Sequence, residues 1–597
     1  MKNTAYPAVT LLLLALAILC CGAPKDERPA APEKGLSAPS GPHPTVAWIL
    51  ACRVGQGGFG CFPGDSAFVS RTGMAVDALA ELGELESLPH RESLVGWLKA
   101  QQQPDGGFLE AADFYNNKYL PWGTMSALEP TFWAVKILKI LGAEPDRPGD
   151  AVRFIKARQR PGGAFDASEV SWGGAAEALY STFWAVAALK ELGSPLPDSA
   201  AVVEWAESMQ ETKALRGGFR LSVDNFNYSS TSGTYYGVRT LSFLGAAPRR
   251  PREVKKFLLS SYGQEPDGGF ELGHGDDWNN FDHYSLMQET YMALHALEIL
   301  GMPLKDSDTS RAASPASDCA RWIASVQNAD GGFARVGVTD QTPLRSPSEM
   351  RATWQAVKAL KLLGWPAPRP NEPVQSGQSE VQPHVPLHRH PTIHNDDPAE
   401  VWAYRRIALP IYSHFLEKTG SRIAALGWLS RWARAVVGPE NAVYLTGGRG
   451  LLMQGWGQCG EMSLLLQQLA SSVDHAARYS FVIGDVNCEI LVAEHGWARP
   501  HWCLFIPFTN EYPDPAAPAP DGKLNGWSVL DCIVDYNARR RNLNYPSRTR
   551  LGDHLFNSVR IETIDFANGN WDGEFSLDST TTYTSPVVEN LYPQGSW

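Results

Sequence analysis

The sequence predicts an all-α ring of six helical hairpins, an (α/α)6 toroid, followed by a smaller α+β domain. Three observations predict it. One helical pattern recurs six times up to Gly364, a Pro-rich stretch without apolar period follows, and beyond that stretch a Cys-headed apolar helix precedes runs patterned like strands. At 597 residues the chain exceeds what a single core holds, about 250–300 residues. Its net charge of -12, from 52 Lys and Arg against 64 Asp and Glu, excludes an electrostatic grip on nucleic acid and leaves a neutral ligand or a basic partner. Trp outnumbers Met, 20 to 10, which suits ring-lined cores or cavities.

The first element, residues 1–21, has Met1 and Lys2 ahead of an apolar run from Ala8 to Leu19. The run is too short to span about 30 Å of hydrocarbon and fits the core of a signal peptide, so the protein is expected to leave the cytosol. Cys20 and Cys21 close the run, and residues 22–43 form a Pro/Ala-rich tether. This arrangement resembles a bacterial lipoprotein signal and its spacer. The resemblance implies a lipid on Cys20 or Cys21 and a membrane partner through that anchor, with simple cleavage and secretion as the alternative. Seven further cysteines follow, Cys52, Cys61, Cys319, Cys459, Cys488, Cys503 and Cys532, an odd number that leaves a thiol unpaired within one chain. Cys52 and Cys61 flank a Gly-rich loop and are read either as a local disulfide or as two buried thiols.

Residues 44–365 hold the repeats. Their helices end at Gly83, Gly142, Gly193, Gly245, Gly301 and Gly364, each preceded by Leu. Eleven residues before each Gly stands Thr: Thr72, Thr131, Thr182, Thr234, Thr290 and Thr353. The next residue is aromatic in five repeats, Phe132, Phe183, Tyr235, Tyr291 and Trp354, with Gly73 the exception. These five are read as core packing and as lining of the toroid, where they could meet a substrate. A Gly-Gly-Phe loop or near copy precedes each helix, at Phe59, Phe108, Phe165, Phe219, Phe270 and Phe333, and Gln102, Gln159, Gln264 and Gln327 stand six residues ahead of four of these Phe. Each unit is therefore helix, Gly loop, helix. An open array needs polar caps at its ends, and none is visible, which favours a closed ring.

The Gln-x-x-Asp-Gly-Gly-Phe loop and the Thr-Phe-Trp-Ala-Val helix make this block resemble the toroid of terpenoid cyclases and of the β subunits of protein prenyltransferases. That resemblance implies the fold. The chemistry is not carried over: no Asp-x-Asp-Asp acid is present, and where prenyltransferases place zinc ligands this chain has Ala127 and Glu129, Ala178 and Tyr180, or Leu286 and Gln288. No cofactor is expected. His274, Asp276, Asp277, Asp282 and His283 form a polar cluster before the fifth repeat helix, read as a solvated loop first and as a weak metal or substrate contact second. A peptide, glycan or lipid-like ligand is the expected occupant of the ring.

Residues 366–398 form a Pro-rich linker, and residues 399–597 form the second domain. There the string QGWGQCGEM places Cys459 between two glycines at the mouth of an apolar helix, where backbone N–H groups and the helix dipole favour a thiolate. Gln454 and Gln458 are candidate oxyanion donors. Gly-Gln-Cys-Gly-Glu and the order helices, Cys helix, sheet resemble the transglutaminase-like branch of the papain superfold. The resemblance implies that Cys459 is a nucleophile acting with a His on one strand and an Asp on the next. Two registers remain open. In one, VNCEILV is the first strand and Cys488 occupies the His position, which implies a dead hydrolase or a thiol without a general base. In the other, His501 is the base and Asp531 orients it. Three functions follow: a toroid that binds a ligand or polypeptide for a thiol domain acting on amide or peptide bonds; a non-catalytic envelope scaffold; or isoprenoid transfer or cyclisation in the ring.

Overall fold

The structure, a computed structural model, describes residues 43–55, 57–110, 126–166, 177–211, 217–223, 229–261, 268–271, 285–304, 315–338, 344–368, 398–439, 452–453, 455–457, 459–475, 477–482, 485–495, 501–505, 507, 559–565 and 570–577. Cys20, Cys21, Gln264, the His274–His283 cluster, Gln454, Gln458, Asp531 and Cys532 lie outside them. No described helix is long and apolar enough to cross a membrane.

The six repeat helices are α2 (Val69–Glu81), α4 (Leu128–Ile140), α6 (Leu179–Glu191), α8 (Thr231–Phe243), α10 (Met287–Ile299) and α12 (Met350–Leu363). Before them run α1 (Pro44–Ala51), α3 (Arg91–Ala100), α5 (Pro148–Lys156), α7 (Ser199–Ser208), α9 (Pro251–Ser260) and α11 (Pro315–Ser325). The even-numbered helices are almost wholly buried, and each packs on the next, with α12 returning to α2. They are the inner wall of a closed ring, and the amphipathic odd-numbered helices surround it. Closure is sealed by Met350 N–H to Cys61 O (2.8 Å), Trp48 Nε1 to Asp330 (3.1 Å) and Gln327 Nε2 to Thr45 Oγ1 (3.1 Å).

Hydrogen bonds explain the repeat pattern. In all six units the Thr Oγ1 accepts the backbone N–H of the loop Phe: Phe59 to Thr72, Phe108 to Thr131, Phe165 to Thr182, Phe219 to Thr234, Phe270 to Thr290 and Phe333 to Thr353, at 2.8–3.0 Å. A buried N–H without this partner costs roughly 1–3 kcal/mol, so Thr is needed where Val would satisfy the apolar pattern. The loop Gln ties its unit to the next: Gln102 Nε2 donates to Gly106 O and to Arg147 O, just ahead of α5. Gln210 does the same with Gly217 O and Arg250 O, a fifth copy hidden from the sequence by its longer loop. Gly73 is no lapse either. A Cβ there would stand 2.4 Å from the Trp133 ring, so the next repeat's indole fills the place of the missing aromatic.

The second half begins with α13 (Pro398–Thr419) and α14 (Arg422–Val436), followed by α15 (Cys459–Ser472). Strands β1 (Ala477–Val482), β2 (Asp485–Val492), β3 (His501–Phe505), β4 (Val559–Asp565) and β5 (Asn570–Leu577) make one antiparallel sheet in the order β3-β2-β1-β4-β5. The VNCEILV segment is thus the second strand after the Cys459 helix, because ARYSFV forms a strand of its own ahead of it. Leu426, Leu429, Met462, Leu466, Leu469 and Ile490 build a second apolar core, which Leu286 and Val336 of the ring also join. Cys52 is a free, buried thiol, so the local disulfide between Cys52 and Cys61 is not formed.

Candidate functional site

Aligning the inner helices on the repeat Thr resolves the bore into layers. Two residues before Thr stand Ser70, Glu129, Tyr180, Ser232, Gln288 and Arg351, all buried, at the mouth where the six helices begin. Arg351 pairs with Glu129 at 3.4 Å and reaches Gln288 Oε1 at 3.3 Å, and Tyr180 Oη donates to Glu129. Below this polar layer the rings close on one another. Phe132 meets Trp184 (4.9 Å between centroids), Phe183 meets Tyr236 (5.4 Å), Tyr235 meets Tyr291 (5.8 Å) and Tyr291 meets Trp354 (5.1 Å). Phe132, Phe183, Tyr235, Tyr291 and Trp354 therefore form the waist of the ring, each no more than 7% exposed.

Glu110 enters the mouth from the loop after Phe108. Ser70 N–H and Oγ donate to its Oε1, while its Oε2 is buried without a hydrogen bond among the described residues. Burial first, and then the neighbouring Glu129 carboxylate, push its pKa up from 4.5 to about 7, against the opposing pull of Ser70 and Arg71. The folded chain thus holds this proton more tightly than the unfolded chain does. Stability from Glu110 is highest in acid, below its unfolded pKa, and falls as pH rises through about 7. Glu110→Gln is expected to stabilise the protein by about 3 kcal/mol near neutrality and above, with no gain in acid, as read by urea unfolding across pH.

Three arginines join this mouth to the second half. Arg71, 2% exposed, donates from Nη2 to Met453 O at 2.8 Å, and Arg335 donates to Leu452 O and pairs with Glu349 at 2.8 Å. Arg406 of α13 donates to Ser348 O at 3.0 Å and lies over the Phe62 ring at 4.0 Å. A small cavity of about 30 Å³ sits among Cys61, Arg71, Glu349, Arg406, Leu452 and Met453. Gly455 approaches the ring so closely that a Cβ would stand 2.6 Å from Gln288 Oε1. The turn that leads into α15 is therefore seated on the polar layer of the toroid, and Cys459 opens the helix directly behind it.

Of the partners expected for Cys459, the backbone of His501 and the whole of Cys488 are described, and Asp531 lies outside the described residues. Ser421 and Arg422, at the start of α14, bind Glu494 and Ala493 O just past β2, and His475, just past α15, bonds Leu491 O. The far end of α15 thus meets the far end of β2, where Val492 pairs with His501. His501 opens β3, and its backbone pairs with Val492 at the end of β2 that lies beside His475, just past α15. Cys488, in the middle of β2 opposite Tyr479 and Phe505, is buried, and burial pushes its thiol pKa well above the ordinary value.

The zinc site of prenyltransferases does not fit the mouth. Ala127, Ala178 and Leu286 cannot ligate, and Glu129 is engaged by Arg351 and Tyr180. Among the described residues no group of three His, Cys, Asp or Glu side chains could hold a metal ion. Sequence reasoning passed over Arg71, Arg335 and Arg406. A signal existed for the polar layer: Glu129, Gln288 and Arg351 occupy an inward position of otherwise apolar helices.

The family model of the prenyltransferase alpha-alpha toroid domain matches residues 38–219 and 220–380. No curated protein matches the chain. Among solved structures, the chain is similar to Candida albicans protein geranylgeranyltransferase-I complexed with GGPP, at 15% identity over 49% of this chain and 83% of that one, TM-score 0.39. It is also similar to the type II terpene cyclase MstE from Scytonema, at 13% identity over 53% and 94%, TM-score 0.37. A structure described as a wild-type glycosidase matches at 13% identity over 54% and 96%, TM-score 0.35.

Proposed function

The chain belongs to the prenyltransferase alpha-alpha toroid domain family, and from that premise we propose that it is a ligand-binding protein of the cell envelope rather than an isoprenoid transferase. In this reading residues 1–21 export the chain and a lipid on Cys20 or Cys21 tethers it. The toroid takes a polypeptide or lipid-like ligand at its polar mouth, and the second half, built on a transglutaminase-like frame, carries Cys459 without the imidazole of a hydrolase. The observation that supports this reading is the mouth itself: Ala127, Ala178 and Leu286 stand where prenyltransferases hold zinc, and Glu129 is taken up by Arg351 and Tyr180. A thiol without a positioned base is a slow nucleophile at neutral pH, helped only by the helix N-terminus.

The second reading is a thiol enzyme acting on amide or peptide bonds. What favours it is the seating of the Leu452–Gly455 turn on the ring by Arg71 and Arg335, which brings the start of α15 to the mouth. Iodoacetamide labelling across pH separates the two. The binding reading expects Cys459 to titrate as a single thiol in or modestly below the free range, about 8.5, with a profile that His501→Ala leaves unchanged. A labelling plateau extending below about pH 6 that His501→Ala abolishes would establish the enzyme instead.

A further inference from the structure

The seam between the ring and the second half encloses two arginines that no carboxylate pairs with among the described residues. Its cavity of about 30 Å³ is lined by Arg71 of α2, Glu349 just ahead of α12, Ala403 and Arg406 of α13, and Leu452 and Met453 of the turn before α15. Glu349 is the carboxylate among these groups, and it is already taken: Arg335 holds its Oε1 with Nε at 3.0 Å and Nη2 at 2.8 Å.

The other two guanidinium ions have neutral partners. Arg71, 2% exposed, donates to Ser70 Oγ (3.2 Å), Met74 Sδ (3.5 Å) and Met453 O (2.8 Å). Arg406 donates to Ser348 O at 3.0 Å and lies over the Phe62 ring. A guanidinium offers more N–H donors than these bonds use. Burial pushes the Arg406 pKa below the ordinary value, and the through-space pull of Asp65 and Glu349 offsets that only in part. Glu110, which feels the charge of Arg71, keeps its proton up to about pH 7 and in more acid solution supplies no counter-charge. A guanidinium held out of water without an anionic partner is costly.

Room, donors and charge together select what would relieve that cost. About 30 Å³ admits one or two particles the size of water and no longer ligand. Water would satisfy N–H groups but bring no charge, whereas a halide ion brings both. On a chain of net charge -12 the bulk field repels anions, so an anion held here owes its affinity to the local pair of arginines. We infer that this cavity is a chloride-binding site, the ion bridging Arg71 of the ring and Arg406 of α13 and fastening the second half to the mouth. The contact is otherwise made by arginines donating to the carbonyls of Ser348, Leu452 and Met453. Seating of the turn that leads into Cys459 thereby becomes dependent on chloride.

The test is thermal unfolding of the full chain at pH 6, in sodium chloride against sodium gluconate at equal ionic strength. Gluconate is too bulky for the cavity and controls for screening. The expected result is a saturable rise in Tm with chloride beyond that in gluconate, its midpoint moving about tenfold upward in concentration in Arg406→Gln. Ala403→Val narrows the cavity and leaves both arginines in place, so it should remove the chloride-specific rise and keeps the site testable even if Arg406→Gln folds poorly. In a crystal soaked in sodium bromide, the anomalous signal is expected between the Arg71 and Arg406 guanidinium groups. Equal rises in chloride and gluconate, a chloride-specific rise retained in Ala403→Val, or no bromide between the two arginines would overturn the site.

Discussion

Gly331→Val is expected to cost roughly 4 kcal/mol or more and to open the ring, read as a large drop in the urea midpoint of the full chain. Gly331 has φ +92°, and a Cβ built on it would stand 2.4 Å from the carbonyl oxygen of Pro44, the first residue of α1. The substitution therefore adds steric overlap with backbone to the strain of a left-handed conformation in a β-branched residue. Gly301→Ala isolates the strain, because Gly301 has φ +76° and open space around its Cβ position. That variant is expected to lose about 1 kcal/mol. Equal losses in the two chains would mean that the seam between the sixth loop and the first helix carries no stability.

Arg351→Met is expected to cost about 3–5 kcal/mol, since it leaves the Glu129 carboxylate buried at 1% exposure without its guanidinium. Arg351→Met combined with Glu129→Gln should recover most of the loss, because Trp133 can still donate to the amide oxygen while the amide NH2 donates to Tyr180 Oη. Urea unfolding of the two single variants and the double variant gives the coupling directly. A double variant as unstable as Arg351→Met would show that the arginine acts through its packing alone.

The ring was legible because each repeated residue type has one physical task. Thr holds the loop Phe N–H, the loop Gly lies against the next helix, and Leu-Gly ends the helix with a left-handed residue. All six terminal glycines, from Gly83 to Gly364, have φ between 64° and 76°. Gly73 looked like a defect because its compensation, Trp133, comes from the following repeat and has no signature at Gly73 itself. The arginine clamp was not legible, since its acceptors are backbone carbonyls of Leu452 and Met453, and a carbonyl is present at every residue. In the second half the strand patterning left two partners open for Cys459, with the cleaner pattern on the VNCEILV register. ARYSFV forms a strand of its own ahead of VNCEILV, which moves every later strand one place along the sheet order.

The closed seam also determines when the ring can become stable. Thr45 and Gln327, which bond across it, are 282 positions apart, and so are Trp48 and Asp330. A chain that emerges from its amino end carries α1 and its apolar face without their final partner until the sixth repeat has followed. Loop closure over such a separation comes late and slowly. Truncations that remove α11 and α12 should therefore leave the earlier repeats as a protease-sensitive arc, with the first hairpin the part most in need of protection during biogenesis.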